Sequence, residues 1–168
     1  MSPYVLLAKE AVENYVKDNK IISPTEGLPD KKTGVFVTIT KGKELRGCIG
    51  TYRPVQDNIG EEIIHNAIAA ATEDYRFSPI QEEELPCLSY TVYLLSEPES
   101  IKNTSELNPK KYGIIVKSGF KAGLLLPDLD GVETKEQQIA IACQKGAINS
   151  QTEPVDIYRF TVEKYEPR

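Results

Sequence analysis

The segment GVFVTITKGKELRGCIGTY, residues 34–52, is the feature that most constrains the fold of this chain. Apolar and polar residues alternate on both sides of a short polar stretch, which is typical of two antiparallel strands joined by a tight turn. Successive side chains of a strand point to opposite faces, so the valines and isoleucine of the first strand share one face, and Thr38 and Thr40 share the other. The sequence therefore predicts a β-hairpin with one buried face.

The length of the hairpin loop decides which residues of the second strand share each face. A loop of three residues, 42–44, would add Leu45 and Ile49 to the aliphatic face. The face of the threonines would then also carry Arg46, Cys48 and Gly50. A two-residue loop would instead place the charge of Arg46 in the core, which is unfavourable. We therefore predict the three-residue loop.

Three segments have the start signals and apolar spacing of helices. The first begins after Ser2, a candidate N-cap, with Pro3 at the first helical position. The third begins with the capping box Thr134–Gln137 and ends at Gly146. The second starts near Asp57 and has one apolar stripe: Ile59, Ile63, Ala67 and Ala70.

Further strands follow from alternation and aromatic content. Residues 87–96 predict one strand, and residues 112–127 predict a hairpin that turns at Ser118 and Gly119. The closing segment VDIYRFTVEKY predicts a single strand with one shared face: Tyr158, Phe160 and Val162. Hairpins with helices between them predict an α+β fold, with a mixed, largely antiparallel sheet packed with about three helices.

Composition narrows the class of protein. The chain has 168 residues, of which 40 % are hydrophobic and 27 % charged, so we expect a single domain over residues 1–168. The net charge of −5 opposes general binding to nucleic acids or to anionic membranes. No apolar run of 18 residues and no secretory signal is present, and we expect a cytoplasmic protein.

Cysteine and histidine are too sparse for a cluster of metal ligands. Cys48, Cys87 and Cys143 are far apart, which predicts thiols rather than a disulfide framework, and we expect Cys87 and Cys143 in the core. His65 follows Glu61 by four residues, which is half a metal site or an ordinary pair on a helix surface. Without any nucleotide-binding motif as well, we expect neither a metal nor a cofactor in this chain.

Cys48 has the most distinctive surroundings of the three cysteines. Arg46 lies two residues before it on the same predicted face, and a guanidinium about 4 Å from a thiolate stabilises it by roughly 4 kcal/mol at an effective dielectric near 20. An exposed Cys48 would then be a nucleophile, whereas a buried one would be an inert small hydrophobic residue. Gly47 and Gly50 either allow a ligand to approach or let the second helix pack closely.

The segment EDYRFSP follows the second helix, at a position where functional residues often gather. Arg76 and Phe77 belong to it, and Asp74 or Glu73 is the expected ion-pair partner of Arg76. The run of glutamates at residues 82–84 predicts a solvated turn.

Four segments together resemble the AMMECR domain family: GVFVTITKGKELRGCIGT, EDYRFSPIQEEELPCLSYTVYLLSEPESI, YGIIVKSGFKAGLLLPDLDGVETKEQQIAIACQKGAI and PVDIYRFTVEKY. The last part of the third segment is most similar to the bacterial branch, AmmeMemoRadiSam system protein A. The resemblance implies a compact fold of two unequal lobes, with a cleft lined by the Arg-Gly-Cys segment. In bacteria it also implies association with a radical S-adenosylmethionine (SAM) protein and a Memo-like protein.

The resemblance and the chemistry together define the candidate site. Cys48 and Arg46 are the candidate catalytic pair. Six residues are candidates for binding a small molecule or peptide: Thr38, Gly47, Gly50, Thr51, Arg76 and Phe77. The alternatives to thiol-dependent catalysis or carriage of a ligand are a non-catalytic adaptor that binds a partner protein, and RNA binding through basic residues: Lys41, Lys43, Arg46 and Arg53.

Overall fold

The computed structural model describes residues 1–167 and confirms an α+β fold. Its helices are α1 (Pro3–Asp18), α2 (Ile59–Thr72) and α3 (Lys135–Lys145), with short 3₁₀ helices at Glu82–Cys87 and Thr104–Glu106. Its strands are β1 (Gly34–Lys41), β2 (Glu44–Thr51), β3 (Leu88–Leu95), β4 (Glu99–Ser100), β5 (Gly113–Ser118), β6 (Lys121–Leu125), β7 (Asp156–Phe160) and β8 (Val162–Tyr165). Two compact units are present: residues 1–95 with the stretch from Glu163 onward, and residues 96–162.

The first unit is built on a four-stranded sheet in the order β2-β1-β3-β8, in which β1 pairs antiparallel with both β2 and β3. Its core lies between the sheet and helices α1 and α2, and the predicted stripe of α2 is fully part of it. Val37 and Ile39 of β1 are completely buried there, as the alternation predicts. The opposite face of the sheet therefore carries the intervening residues of each strand.

Side-chain caps fix where the helices of the first unit begin. The Ser2 hydroxyl accepts a hydrogen bond from the backbone N–H of Tyr4 at 3.2 Å, and Pro3 is the first helical residue, as predicted. The Asn58 side chain accepts from the N–H of Glu61 at 2.9 Å, so α2 begins at Ile59, close to the predicted start.

The β1–β2 hairpin contains a bulge that the sequence analysis missed. Its loop has two residues, 42 and 43, so the predicted three-residue loop is wrong. Ile39 pairs with Gly47 but Thr40 pairs with Leu45, which leaves Arg46 as the extra residue. Because of this extra residue, the part of β2 after the bulge has the predicted faces, and Cys48 lies opposite Thr38. Leu45 does not join the aliphatic face, and 41 % of its surface is exposed.

The second unit has its own sheet, in the order β4-β7-β5-β6, so the fold contains two sheets where the sequence suggested one. Helix α3 packs on β5 and β6 and begins with the predicted capping box, in which the Thr134 hydroxyl accepts from the N–H of Gln137. Cys143 is buried in this core, as predicted. The β5–β6 hairpin turns at Gly119 and Phe120, one residue later than expected.

Two further predictions are wrong. The closing segment is interrupted at Thr161: β7 joins the sheet of the second unit, and β8 joins the edge of the first sheet beside β3. Cys87 ends a 3₁₀ helix and is exposed rather than buried. Among residues 1–167, no helix combines the length and apolar character that a membrane span requires.

Candidate functional site

Cys48 lies in the middle of β2, on the sheet face that points away from α1 and α2. Thr38 of β1 is its direct cross-strand partner, and Thr91 of β3 lies beside Thr38 in the same row. The Sγ atom of Cys48 is 3.3 Å from Oγ1 of Thr38, a hydrogen-bond contact for sulfur. Cys48 is half-buried. Cys48 is therefore partly accessible, whereas the interpretation of Cys48 as an inert residue assumed that it would be buried.

Asp74 holds the backbone of Cys48 from the loop that follows α2. The N–H of Cys48 donates to Oδ2 of Asp74 at 3.0 Å. Arg76 donates three hydrogen bonds to the same carboxylate: from its backbone N–H at 3.1 Å, from Nε at 3.0 Å and from Nη2 at 2.7 Å. The Asp74 side chain is only 4 % exposed. The side-chain hydrogen bonds from Arg76, aided by the N–H of Cys48, lower the pKa of Asp74 to about 2.

Arg76 is the cation that the structure brings to Cys48. Its pKa is raised, chiefly by the side-chain hydrogen bonds to Asp74, and the negative charge of the Cys48 thiolate contributes to the same rise. Its guanidinium lies 5.4 Å from the ring centre of Phe77, and 46 % of its side chain is exposed. Two candidate ligand-binding residues from the sequence, Arg76 and Phe77, thus lie at this site.

Arg46 is bound elsewhere, which corrects its predicted pairing with Cys48. Its Nε and Nη2 donate to the two carboxylate oxygens of Glu84 at 2.9 and 3.1 Å, and Lys41 donates to Glu84 as well. These bonds, led by those of Arg46 and the N–H of Gln81, lower the pKa of Glu84 to about 2. Glu84 is therefore not part of a solvated turn. Its charge also offsets two of the four basic residues on which RNA binding would depend.

The two glycines beside Cys48 are explained by packing. Gly47 is buried on the helix side of the sheet, where a Cβ atom would lie 2.1 Å from the backbone oxygen of Ala70. At Gly50, a Cβ atom would lie 2.1 Å from the ring of Phe36. Gly47 thus lets α2 approach the sheet, and Gly50 makes room for an aromatic ring rather than an open pocket.

Thr51 belongs to a buried polar network instead of the Cys48 face. Its hydroxyl donates to Glu62 at 2.8 Å and accepts from the side-chain amide of Asn66 at 3.1 Å. The Glu62 carboxylate, 1 % exposed, also accepts the backbone N–H groups of Val55 and Gln56. The network fixes the loop after β2. Glu62 and Asn66, four residues apart among the apolar residues of α2, are the signal that the sequence analysis did not use.

His65 lies on the exposed surface of α2 and forms an ordinary pair with Glu61, with 3.7 Å between Nε2 and Oε2. The part of the chain that the structure describes contains no group of three potential metal ligands. A residue that the sequence did not suggest is Tyr93 on β3. Its pKa is raised, chiefly by burial, and the negative charge of Cys48 contributes to the rise.

Known proteins match this chain along almost its whole length. The AMMECR1 family model matches residues 5–165. A Thermotoga maritima protein is 49 % identical over 98 % of this chain and 97 % of its own length. A Clostridium acetobutylicum protein is 46 % identical over 97 % of this chain but only 34 % of its own length.

A solved structure shares the fold. The crystal structure of an uncharacterized Pyrococcus horikoshii protein superposes with a TM-score of 0.90, at 33 % identity, over 97 % of this chain and 89 % of that one. The family model, which matches residues 5–165, and the 49 % identity to the Thermotoga maritima protein show that this chain belongs to the AMMECR1 family.

Proposed function

We propose that this protein binds a small ligand at Cys48 and holds it covalently through the thiol. The observation that carries the proposal is the arrangement of Cys48, Asp74 and Arg76. Asp74 fixes the backbone of a half-buried thiol and, through the same carboxylate, holds a cation beside it. Arg76 therefore takes the role that the sequence analysis gave to Arg46.

The chemistry follows from the nature of a thiolate. In the anionic form, Cys48 attacks an electrophilic carbon of the ligand, and the C–S bond forms while the leaving group departs with its electron pair. Arg76 stabilises the thiolate, because an opposite charge nearby favours the ionised form. Thr38 contacts the sulfur and orients it. Catalysis by the chain alone is not needed for this role, since a carrier passes its cargo to another protein.

The wider proposal places the protein in an AmmeMemoRadiSam-type modification system in the cytoplasm, as its A component. The similarity to the Thermotoga maritima protein, 49 % against 39 % for a Thermococcus gammatolerans protein, supports the bacterial branch. A radical SAM protein and a Memo-like protein are then the partners. The cluster and S-adenosylmethionine belong to the radical SAM partner, because three dispersed cysteines cannot supply the four thiolates usual for a cluster.

The rate of alkylation of Cys48 by iodoacetamide against pH tests the proposal. The protein should carry Cys87→Ser and Cys143→Ala, so that a single thiol reacts. We expect the folded protein to react at Cys48, and we expect Arg76→Gln to move the midpoint of the rate to higher pH. A Cys48 that is protected until the chain unfolds would refute the carrier role.

A second candidate function is that of an adaptor, supported by the Clostridium acetobutylicum relative. This chain matches about a third of that protein, so a similar domain there shares its polypeptide with other segments. Co-expression with the radical SAM and Memo-like proteins of the same genome, followed by size-exclusion chromatography, tests this function. An adaptor would co-elute even as a Cys48→Ala variant, whereas independent elution of all three proteins would exclude it.

A further inference from the structure

We propose that the ligand of the Cys48 site carries an anionic group, a carboxylate or a phosphate, which the outer edge of Arg76 binds. This inference rests on the proposed function, since it names the class of ligand that the thiol would hold. Nothing in the role of a carrier by itself requires a charged ligand.

The guanidinium of Arg76 has more hydrogen-bond donors than its bonds to Asp74 use. A guanidinium has five N–H donors in a planar fork. Nε and Nη2 each use one in the two bonds to Asp74. Within residues 1–167 no hydrogen bond from Nη1 is present, and 46 % of the side chain is exposed. Arg76 therefore has an anchored inner edge and an outer edge with three N–H donors, which is the geometry that binds a carboxylate or phosphate at two points.

The surroundings of Arg76 make this outer edge an ordered one. Asp74 fixes the guanidinium at two points from a buried position, and the ring of Phe77 lies 5.4 Å from it. An arginine that is already ordered loses little side-chain entropy when it binds a ligand. An anion held there lies near Cys48, because the same oxygen of Asp74, Oδ2, accepts both from Nη2 of Arg76 at 2.7 Å and from the backbone N–H of Cys48 at 3.0 Å.

A matched pair of alkylating reagents tests the charge preference. Iodoacetate and iodoacetamide deliver the same carbon to sulfur: the C–S bond forms as the C–I bond breaks, and iodide leaves with the electron pair. The quantity to measure is the ratio of the two rates at Cys48 in the folded protein, divided by the same ratio in the urea-unfolded chain. We expect a quotient of roughly two to five, which is the rate enhancement that a partly exposed ion pair would give.

Two variants separate a local contact from the general field of the protein. Arg76→Gln should bring the quotient close to one. Arg53→Gln removes the same charge from an exposed arginine that stacks on Tyr52 after β2, and it should leave the quotient unchanged. Equal effects of both variants would overturn the inference, because they would show a general electrostatic effect.

A measurement on the unsubstituted Arg76 guards against a variant that fails to fold. Inorganic phosphate or acetate, compared with sodium chloride at equal ionic strength, should slow the reaction of Cys48 with iodoacetamide. Stronger protection by one of them assigns the ligand as a phosphate or as a carboxylate. Rapid reaction with iodoacetamide, a quotient of one and no protection would overturn the anionic ligand and leave the carrier role intact. A folded protein inert to both reagents would overturn the carrier role itself.

Discussion

Arg46 and Glu84 form a two-point ion pair, with Nε to Oε1 at 2.9 Å and Nη2 to Oε2 at 3.1 Å. Both side chains are mostly buried, 13 % and 16 % exposed. Arg46 is the bulged residue of β2, and Glu84 lies in the 3₁₀ helix before β3. The pair therefore ties the hairpin to the segment that leads into the next strand of the sheet, which is a structural role.

Breaking this pair should destabilise the protein without changing the thiol. Arg46→Met or Glu84→Gln should each lower the free energy of unfolding by about 2 kcal/mol, because each leaves a partly buried charge without its partner. In urea titrations, the double variant should lose less than the sum of the single losses. The rate of alkylation of Cys48 is the control. A slower rate in Arg46→Met at unchanged stability would restore Arg46 as the activating residue.

Acid should weaken the first unit through Asp74 and Glu84. Both pKa values are lowered in the folded protein, from 3.8 and 4.5 respectively to about 2. Their stabilisation is therefore complete above the unfolded pKa values, and it is lost as the pH falls from about 4.5 to 2. A shift of one pKa unit corresponds to about 1.36 kcal/mol, so each carboxylate should contribute about 2–3 kcal/mol to the free energy of unfolding. Urea titrations across this range should show a flatter pH dependence for Asp74→Asn and for Glu84→Gln. An unchanged slope in both variants would contradict the assignment.

Gly47→Ala should lower the free energy of unfolding by about 3 kcal/mol. The added methyl group would lie 2.1 Å from the backbone oxygen of Ala70, and a backbone atom of α2 cannot move alone. Gly42→Ala, at a positive φ of 64° with no atom within 4 Å of the new Cβ, is the control and should cost about 1 kcal/mol. Thermal unfolding of both variants compares them. Equal losses would mean that α2 does not need Gly47.

Thr51→Val and Thr38→Val form a matched pair. Thr51→Val removes a donor to Glu62 and an acceptor of Asn66, so it should cost about 1–2 kcal/mol in a urea titration and leave Cys48 unchanged. Thr38→Val removes the hydroxyl that contacts Sγ, so it should alter the pH dependence of the alkylation of Cys48. The reverse pattern would place Thr51, and not Thr38, in the site.

Local signals in the sequence predicted much of the fold. The Ser2 cap, Pro3 and the capping box at Thr134 act within one helical turn, so they are readable without tertiary information. The threonine face of β1 follows in the same way from alternation. The bulge at Arg46 is not readable, because it depends on a carboxylate 38 residues further along the chain. The exposure of Cys87 likewise depends on packing, since a cysteine beside apolar residues occurs in both environments.

The candidate site was predicted in part for the same reason. Cys48, Thr38, Arg76 and Phe77 were named from the sequence and lie together. Asp74 was expected only as an ion-pair partner, because no local pattern indicates that its second oxygen reaches the backbone of β2. Gly47 and Thr51 are close to Cys48 in sequence but lie on the other face of β2, because successive residues of a strand point to opposite faces.

The break at Thr161 determines when the first sheet can form. Its edge strand β8 follows the whole second unit in the chain, although it lies beside β3, which ends at Leu95. During synthesis, β1, β2 and β3 leave the ribosome long before β8. The outer edge of β3 therefore has no partner strand while some seventy further residues are translated. An unpaired strand edge is a site of aggregation. Once it has been synthesised, β8 therefore protects the edge of the first sheet from pairing with another chain.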